Sequence, residues 1–275
     1  MPVMKFSGSH PKVRRRLIVF RKNVMSKFLK GKVALVTGGS RGLGAATAVA
    51  LAAQGADVAI SYVASAEKAQ AVVRELEKAG VRAIAIKSDQ AELSSAQTLV
   101  DAVVAHFGKL DILVNNAAVA VQGKTVDDPE LNADELDRMW HVNVLGTVAT
   151  TRAAAQKLSD GGRIIFIGSA IASRTAFPGA ADYTGTKAAI AGYAKGVGRD
   201  LGPRNITVNV VQPGIMPTDM AAAAAHNLPA AVMDLHAIRR IATVEEVAAT
   251  VCFLAGPNAD YISGGVLDMA GGYQI

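Results

Sequence analysis

Cysteine is nearly absent from this sequence: Cys252 is the only one among 275 residues. One thiol cannot close an internal disulfide, so a reducing compartment is the expectation. Because Cys252 lies in the apolar stretch 247–255, it reads as a buried structural thiol rather than a nucleophile. The five histidines are scattered without ligand spacing, and no metal site is expected. Long hydrophobic runs are missing as well. Nothing approaches the roughly 18 uninterrupted apolar residues that span a bilayer, and the LIVF run after Arg16 is broken by Arg21 and Lys22, too early for an export signal. A cytoplasmic protein with no membrane partner is therefore expected. Charged residues make up 19% and hydrophobic residues 51%, the balance of a globular chain rather than a disordered one.

Acidic residues are missing altogether from positions 1–32, which hold ten of the 29 Lys and Arg. The other 19 basic residues face all 23 acids, so the rest of the chain is mildly acidic although the whole carries a net charge of +6. That excludes a basic nucleic-acid face on the folded body. Residues 1–28 are expected to be a basic N-terminal extension. It is either a functional arm or the product of an upstream start, and the second reading, with Met25 as the natural first residue, is preferred. Residues 29–275 are expected to form one domain.

Apolar, β-branched runs recur at 33–37, 57–62, 82–87, 111–115, 163–168, 206–211 and 265–269, with helical patterns between most of them. Continuous apolar strands alternating with helices imply a parallel sheet covered on both faces. The fold class is thus α/β, a doubly wound sheet of about seven strands. Its strand-order reversal leaves a crevice at the carboxyl ends of the first and fourth strands, beside Gly38 and Asn115.

Four motifs fall along this frame: TGGSRGLG at 37–44, NNAA at 115–118, Ser169, and YTGTK at 183–187. The glycine motif follows the first strand and precedes a helical stretch at 45–53, the context of a phosphate-binding turn. Gly38, Gly42 and Gly44 permit a tight turn and close backbone approach, and the helix N-terminus offers unpaired N–H groups. If 181–199 is helical, Tyr183 and Lys187 share a face, and the ammonium can stabilise a phenolate that water alone would not favour near neutrality. Ser169 ends the strand 163–168 and brings a hydroxyl to the same sheet edge. Small residues crowd the Tyr183 helix, including Gly185, Gly192, Gly196 and Gly198, which implies close packing against the sheet or a second subunit.

In these motifs the chain resembles the short-chain dehydrogenase/reductase family, most closely its 3-oxoacyl-carrier-protein-reductase-like branch, from about residue 29 to 275. The resemblance implies a Rossmann-type fold and reversible hydride transfer between a nicotinamide and a carbonyl carbon. It implies Tyr183 as general acid and base, Lys187 as its cationic partner and ribose ligand, Ser169 as carbonyl ligand, and Asn143 as the residue that helps hold a proton-relay water. It places Gly38, Ser40, Arg41, Gly42, Leu43, Gly44, Tyr62, Asp89, Asn116, Pro213, Gly214 and Thr218 against the cofactor, together with Tyr183 and Lys187. Asp89 is expected to bracket the adenine, Asn115 to tie the central strands, and Thr218 to bond the carboxamide. The family usually has glycine where Ala118 stands, a change of one methyl group.

NADPH is the expected cofactor, with NADH possible. Tyr62 occupies the end of the second strand, where an acidic residue would select NAD, and Arg41 can pair with a 2′-phosphate. Val63 replaces a second basic residue, for which Ser61 or Ser65 can substitute. The substrate is expected to be a small hydrophobic ketone or 3-oxoacyl group, bounded by 170–180 with Ile171 and Phe177 and by a low-charge segment at 220–236 that suits a lid. No basic cluster for a carrier-protein arm is evident near the site, although Arg138 and Arg174 can contribute. A homotetramer or homodimer follows from the resemblance. The alternative is a nucleotide-binding regulator on the same fold, against which the full set of Asn143, Ser169, Tyr183 and Lys187 argues.

Overall fold

The computed structural model describes residues 27–218 and 233–275. Seven parallel strands form one sheet in the order β3-β2-β1-β4-β5-β6-β7. They are β1 (Val33–Val36), β2 (Asp57–Tyr62), β3 (Ala83–Lys87), β4 (Leu110–Asn115), β5 (Leu158–Ile167), β6 (Thr207–Pro213) and β7 (Val266–Met269). All seven apolar runs named from the sequence became strands, and β1 lies beside β4 as the reversal requires.

Helices cover both faces because β1, β4 and β6 are buried along their whole length and need apolar cover on two sides. On one face, α1 (Gly42–Ala53), α2 (Ala66–Lys78) and α7 (Val244–Ala255) close over Val36, Ile60, Ile112 and Val211. On the other, α3 (Ser95–Phe107), α5 (Thr147–Lys157) and α6 (Ala181–Leu201) close over Leu35, Leu113, Phe166 and Val210. A shorter α4 (Ala133–Trp140) runs directly into a π-helix, His141–Gly146, before α5 begins. Asn132 caps α4 by accepting the Glu135 N–H, and Thr243 with Glu246 forms a reciprocal capping box on α7.

Lys27 and Phe28, just ahead of the expected domain start, already touch the body. The Lys27 ammonium donates to the Ala79 carbonyl at 2.7 Å, and Phe28 lies over Gly256. The expectation for the preceding basic extension lies outside the described residues. Cys252 is a buried core thiol whose pKa burial pushes up to about 11, which fits an inert packing role.

Candidate active site

The glycine turn after β1 is held from three sides. Thr37 is fully buried, and its hydroxyl accepts the N–H groups of Asn116 and Ala117, both at 3.0 Å. The Asn116 amide returns two bonds, to the carbonyls of Thr37 (2.9 Å) and Gly38 (3.2 Å), and the Gly38 N–H donates to the Ser61 hydroxyl on β2. Gly38 has φ +64°, and a Cβ there would stand 2.9 Å from Ala117 Cα. At Gly44 a Cβ would stand 2.4 Å from the Gly38 carbonyl oxygen, so the helix meets the turn only because that side chain is missing. Helix α1 starts at Gly42 with no side-chain cap on its first N–H groups. Its N-terminus therefore offers donors and a positive dipole end to an anion in the cleft.

That cleft has a volume of about 760 Å³ and follows the carboxyl ends of the strands. Every cofactor-side residue named from the sequence borders it, as do Ser169, Tyr183 and Lys187. Tyr62 and Asp89 stand at one end; Ser169, Phe177 and Tyr273 stand at the other. Pro213 and Gly214 follow from β6, and Thr218 reaches back over Gly42, its methyl 3.6 Å from where a Cβ would be.

The reacting end is built on β5 and α6. Ser169 follows β5 in extended backbone and accepts the Ile171 N–H, while its side chain also bonds the Tyr183 phenol. Four residues on, Lys187 is buried, donates to the Ile167 carbonyl at 3.0 Å, and sits 5.8 Å from the Tyr183 ring centroid. Burial lowers the Lys187 pKa to about 8. The sequence argument expected Lys187 to draw the phenol pKa down. Here burial pushes it up and only the Ser169 bond opposes that, because the ammonium is directed at the Ile167 carbonyl.

Asn143, unlike Ser169, Tyr183 and Lys187, does not border the cleft. It is buried in the π-helix, where its amide accepts the Val119 N–H (2.9 Å) and donates to the Val119 carbonyl (2.9 Å) and the Thr186 hydroxyl (3.2 Å). Its side chain thus fixes the segment after β4 against the helix of Tyr183 and Lys187. Three residues earlier, Trp140 donates its indole N–H to Asp182 at 2.8 Å and packs over Gly185, pinning the first turn of α6.

Several expected roles fall elsewhere. Arg174 donates to the Tyr273 carbonyl at 2.8 Å and Arg138 pairs with Asp89 at 3.1 Å, so both are engaged within the protein rather than presented to a carrier arm. The Asp89 carboxyl is pushed up by burial, yet bonds from the Ala91 N–H and Arg138 leave its pKa below the usual value. Ser61 serves the glycine turn, and Asn115 donates to Thr151 on α5. Among the described residues no group of His, Cys, Asp or Glu could hold a metal, and no helix is long and apolar enough to cross a membrane. Of the expected lid, only Met233–His236 fall among the described residues, and His236 borders the cleft.

Sequence reasoning missed Gln90, Tyr273 and Trp140. Gln90 is buried and its amide joins the carbonyls of Ala117 and Val142 to the Thr147 hydroxyl, linking the strand ends to the π-helix. Gly146 admits it, since a Cβ there would stand 1.9 Å from the Gln90 carbonyl oxygen. Its only sequence signal is its place next to Asp89.

Comparison with known proteins gives a consistent set of likenesses. A family model described as Enoyl-(Acyl carrier protein) reductase matches residues 38–274. A short-chain dehydrogenase from Burkholderia cenocepacia, solved in complex with NADP, is 47% identical and superposes with a TM-score of 0.85, covering 90% of this chain and 100% of that one. Versicolorin reductase 1 of Dothistroma septosporum is 38% identical over 256 residues, 89% of this chain and 96% of that protein. The cyclic-di-GMP-binding biofilm dispersal mediator protein of Escherichia coli is 39% identical over 245 residues, 88% of this chain and 97% of its own.

Proposed function

The chain belongs to the short-chain dehydrogenase/reductase family of oxidoreductases, and from that premise we propose that it is an NADPH-dependent reductase of hydrophobic carbonyl compounds, running reversibly as an alcohol dehydrogenase. The observation that carries this reading is the convergence of the Ser169 hydroxyl and the Tyr183 phenol, with Lys187 one turn away, at the end of a cleft that starts at a glycine turn.

The cleft fits a dinucleotide. The missing side chains of Gly38 and Gly44 let the turn fold tightly, Gly42 leaves the helix N-terminus open, and Asp89 and Tyr62 stand where an adenosine would lie. Bound there, the nicotinamide cofactor supplies hydride to the carbonyl carbon. The rest is done by the chain. Ser169 donates to the carbonyl oxygen, and Tyr183 releases its proton to that oxygen as negative charge develops. Lys187, cationic below about pH 8 and one turn away, turns from the Ile167 carbonyl toward the phenolate that remains and stabilises it. Asn143 and Trp140 hold α6 in place so that the two hydroxyls meet one oxygen.

Selection of NADPH over NADH rests on Arg41 at the start of α1 and on the lack of a carboxylate at Tyr62. The Burkholderia relative solved with NADP supports it. Assembly as a dimer or tetramer is supported by α6, where nothing stands within 4 Å of a Cβ at Gly192 or Gly196. The E. coli relative's name favours a second reading, a nucleotide-binding regulator with little turnover. A binder has no use for the buried Lys187 beside a phenol, so catalysis is the stronger reading. NADPH oxidation over a panel of ketones, with cyclic-di-GMP binding measured beside it, separates the two. Turnover of any ketone supports the reductase; binding of the dinucleotide with no turnover supports the regulator.

A further inference from the structure

We propose that the Tyr273 ring, backed by Arg174 and flanked by His236, is the specificity wall of the carbonyl pocket and suits it to ketones carried on flat ring systems rather than on straight acyl chains. This rests on the reductase reading and deepens it. Tyr273 is 6% exposed. The Arg174 guanidinium donates to its carbonyl at 2.8 Å, its own hydroxyl donates to the Arg174 carbonyl at 3.1 Å, and the next residue, Gln274, donates to the Ala170 carbonyl. These bonds fasten the C-terminus to the loop that begins at Ser169.

The ring is held as firmly as the backbone. The guanidinium carbon of Arg174 stands 5.5 Å from the ring centroid, and the His236 ring lies 5.2 Å away at an interplanar angle of 39°. Arg174 does not border the cleft, whereas Tyr273 and His236 do. Tyr273 shares a small buried cluster with Ala270 and with Ala170, the neighbour of Ser169. A fixed aromatic wall therefore stands beside the carbonyl position, with Ile171, Phe177 and Met216 also bordering the cleft.

A flat ligand matches such a wall because it stacks on the ring and has few torsions to freeze. An acyl chain gains less contact and loses more rotamer freedom. A carrier-borne chain also needs a cation for its phosphate. Among the described residues that border the cleft, the cations are Arg41 at the glycine turn, Arg138 paired with Asp89, and Lys187 at the reacting carbonyl. None of these three Lys and Arg side chains stands beside Tyr273, where the neighbouring titratable ring is that of His236.

The test compares kcat/KM with NADPH for 2-tetralone and for a 3-oxooctanoyl N-acetylcysteamine thioester, in the wild type, Tyr273→Phe and Tyr273→Leu. The wild type is expected to favour the tetralone. Tyr273→Leu should lower the tetralone-to-thioester ratio by about fivefold, mostly through the tetralone KM, the scale of one aromatic contact. Tyr273→Phe, which keeps the ring, should hold the ratio within about twofold. Retained NADPH affinity shows that each variant is folded. Preference of the wild type for the thioester, or an unchanged ratio in Tyr273→Leu, would overturn the proposal. If neither ketone is reduced, the reductase reading fails and the wall is judged on calorimetric binding of 2-naphthol. Weaker binding to Tyr273→Leu than to Tyr273→Phe upholds it, and equal binding overturns it.

Discussion

Lys187 shows how one residue serves catalysis at the expense of stability. Burial lowers its pKa from an ordinary 10.5 to about 8, so below pH 8 the fold carries the full cost of a desolvated ammonium. Between pH 8 and 10.5 the unfolded chain holds more protons than the folded one, and stability rises with pH through that window. Lys187→Met is expected to stabilise the protein at pH 7 by on the order of 2 kcal/mol while destroying reduction, since the relieved burial cost exceeds one lost bond to the Ile167 carbonyl. Thermal denaturation at pH 7 and at pH 10 checks both parts: the stabilisation should shrink at the higher pH. Cofactor choice is also a residue-scale matter. Tyr62→Asp sets a carboxylate against a 2′-phosphate, and Arg41→Ala removes a contact of about 1.5–3 kcal/mol, so the pair should raise NADPH KM by tenfold or more with little change in kcat. Steady-state kinetics with both cofactors decide it, and a wild type that already prefers NADH would contradict the reading of Arg41.

At the scale of elements, the strands were legible because a parallel sheet buried on both faces leaves unbroken apolar runs, as in β4 and β6. Helix α6 was legible from its spacing of Tyr183 and Lys187, and it extends two residues past the expected end to Leu201. The devices that aim it were not. Trp140 and Asp182 are 42 positions apart, and no local pattern announces that an indole N–H will meet that carboxylate over the gap left by Gly185. Trp140→Phe removes the bond but keeps a ring over Gly185. It should lower kcat by about tenfold or more, the scale of one hydrogen bond to a charged group, and leave NADPH KM unchanged. A fall in cofactor affinity instead would mean that the indole supports the whole cleft rather than the phenol. The π-helix was equally hidden, because HVNVLG has the pattern of an ordinary helix, and Gln90 opposite Gly146 becomes visible only when β3 and α5 are brought together.

For the molecule as a whole, strand order placed the site before any side chain was considered: the reversal between β1 and β4 opens the cleft into which Gly38, Asn116 and Ser169 all face. Tyr183 and Lys187 were readable because they stand four positions apart along the chain, and the glycine turn because its glycines fall together between 38 and 44. The far wall was not, since Tyr273 and Arg174 meet across 99 positions and the C-terminal sequence carries no motif. One fold therefore supplies a legible reacting end and a substrate end that emerges only from packing. The central claim is that this cleft uses the Tyr183 phenol as a proton donor to a carbonyl oxygen. Single-turnover and steady-state NADPH oxidation by wild type and Tyr183→Phe, with a ketone that the wild type reduces, tests it most directly. The account predicts a fall in kcat of about 100-fold or more with NADPH affinity nearly unchanged; a variant that keeps near-wild-type turnover would contradict it.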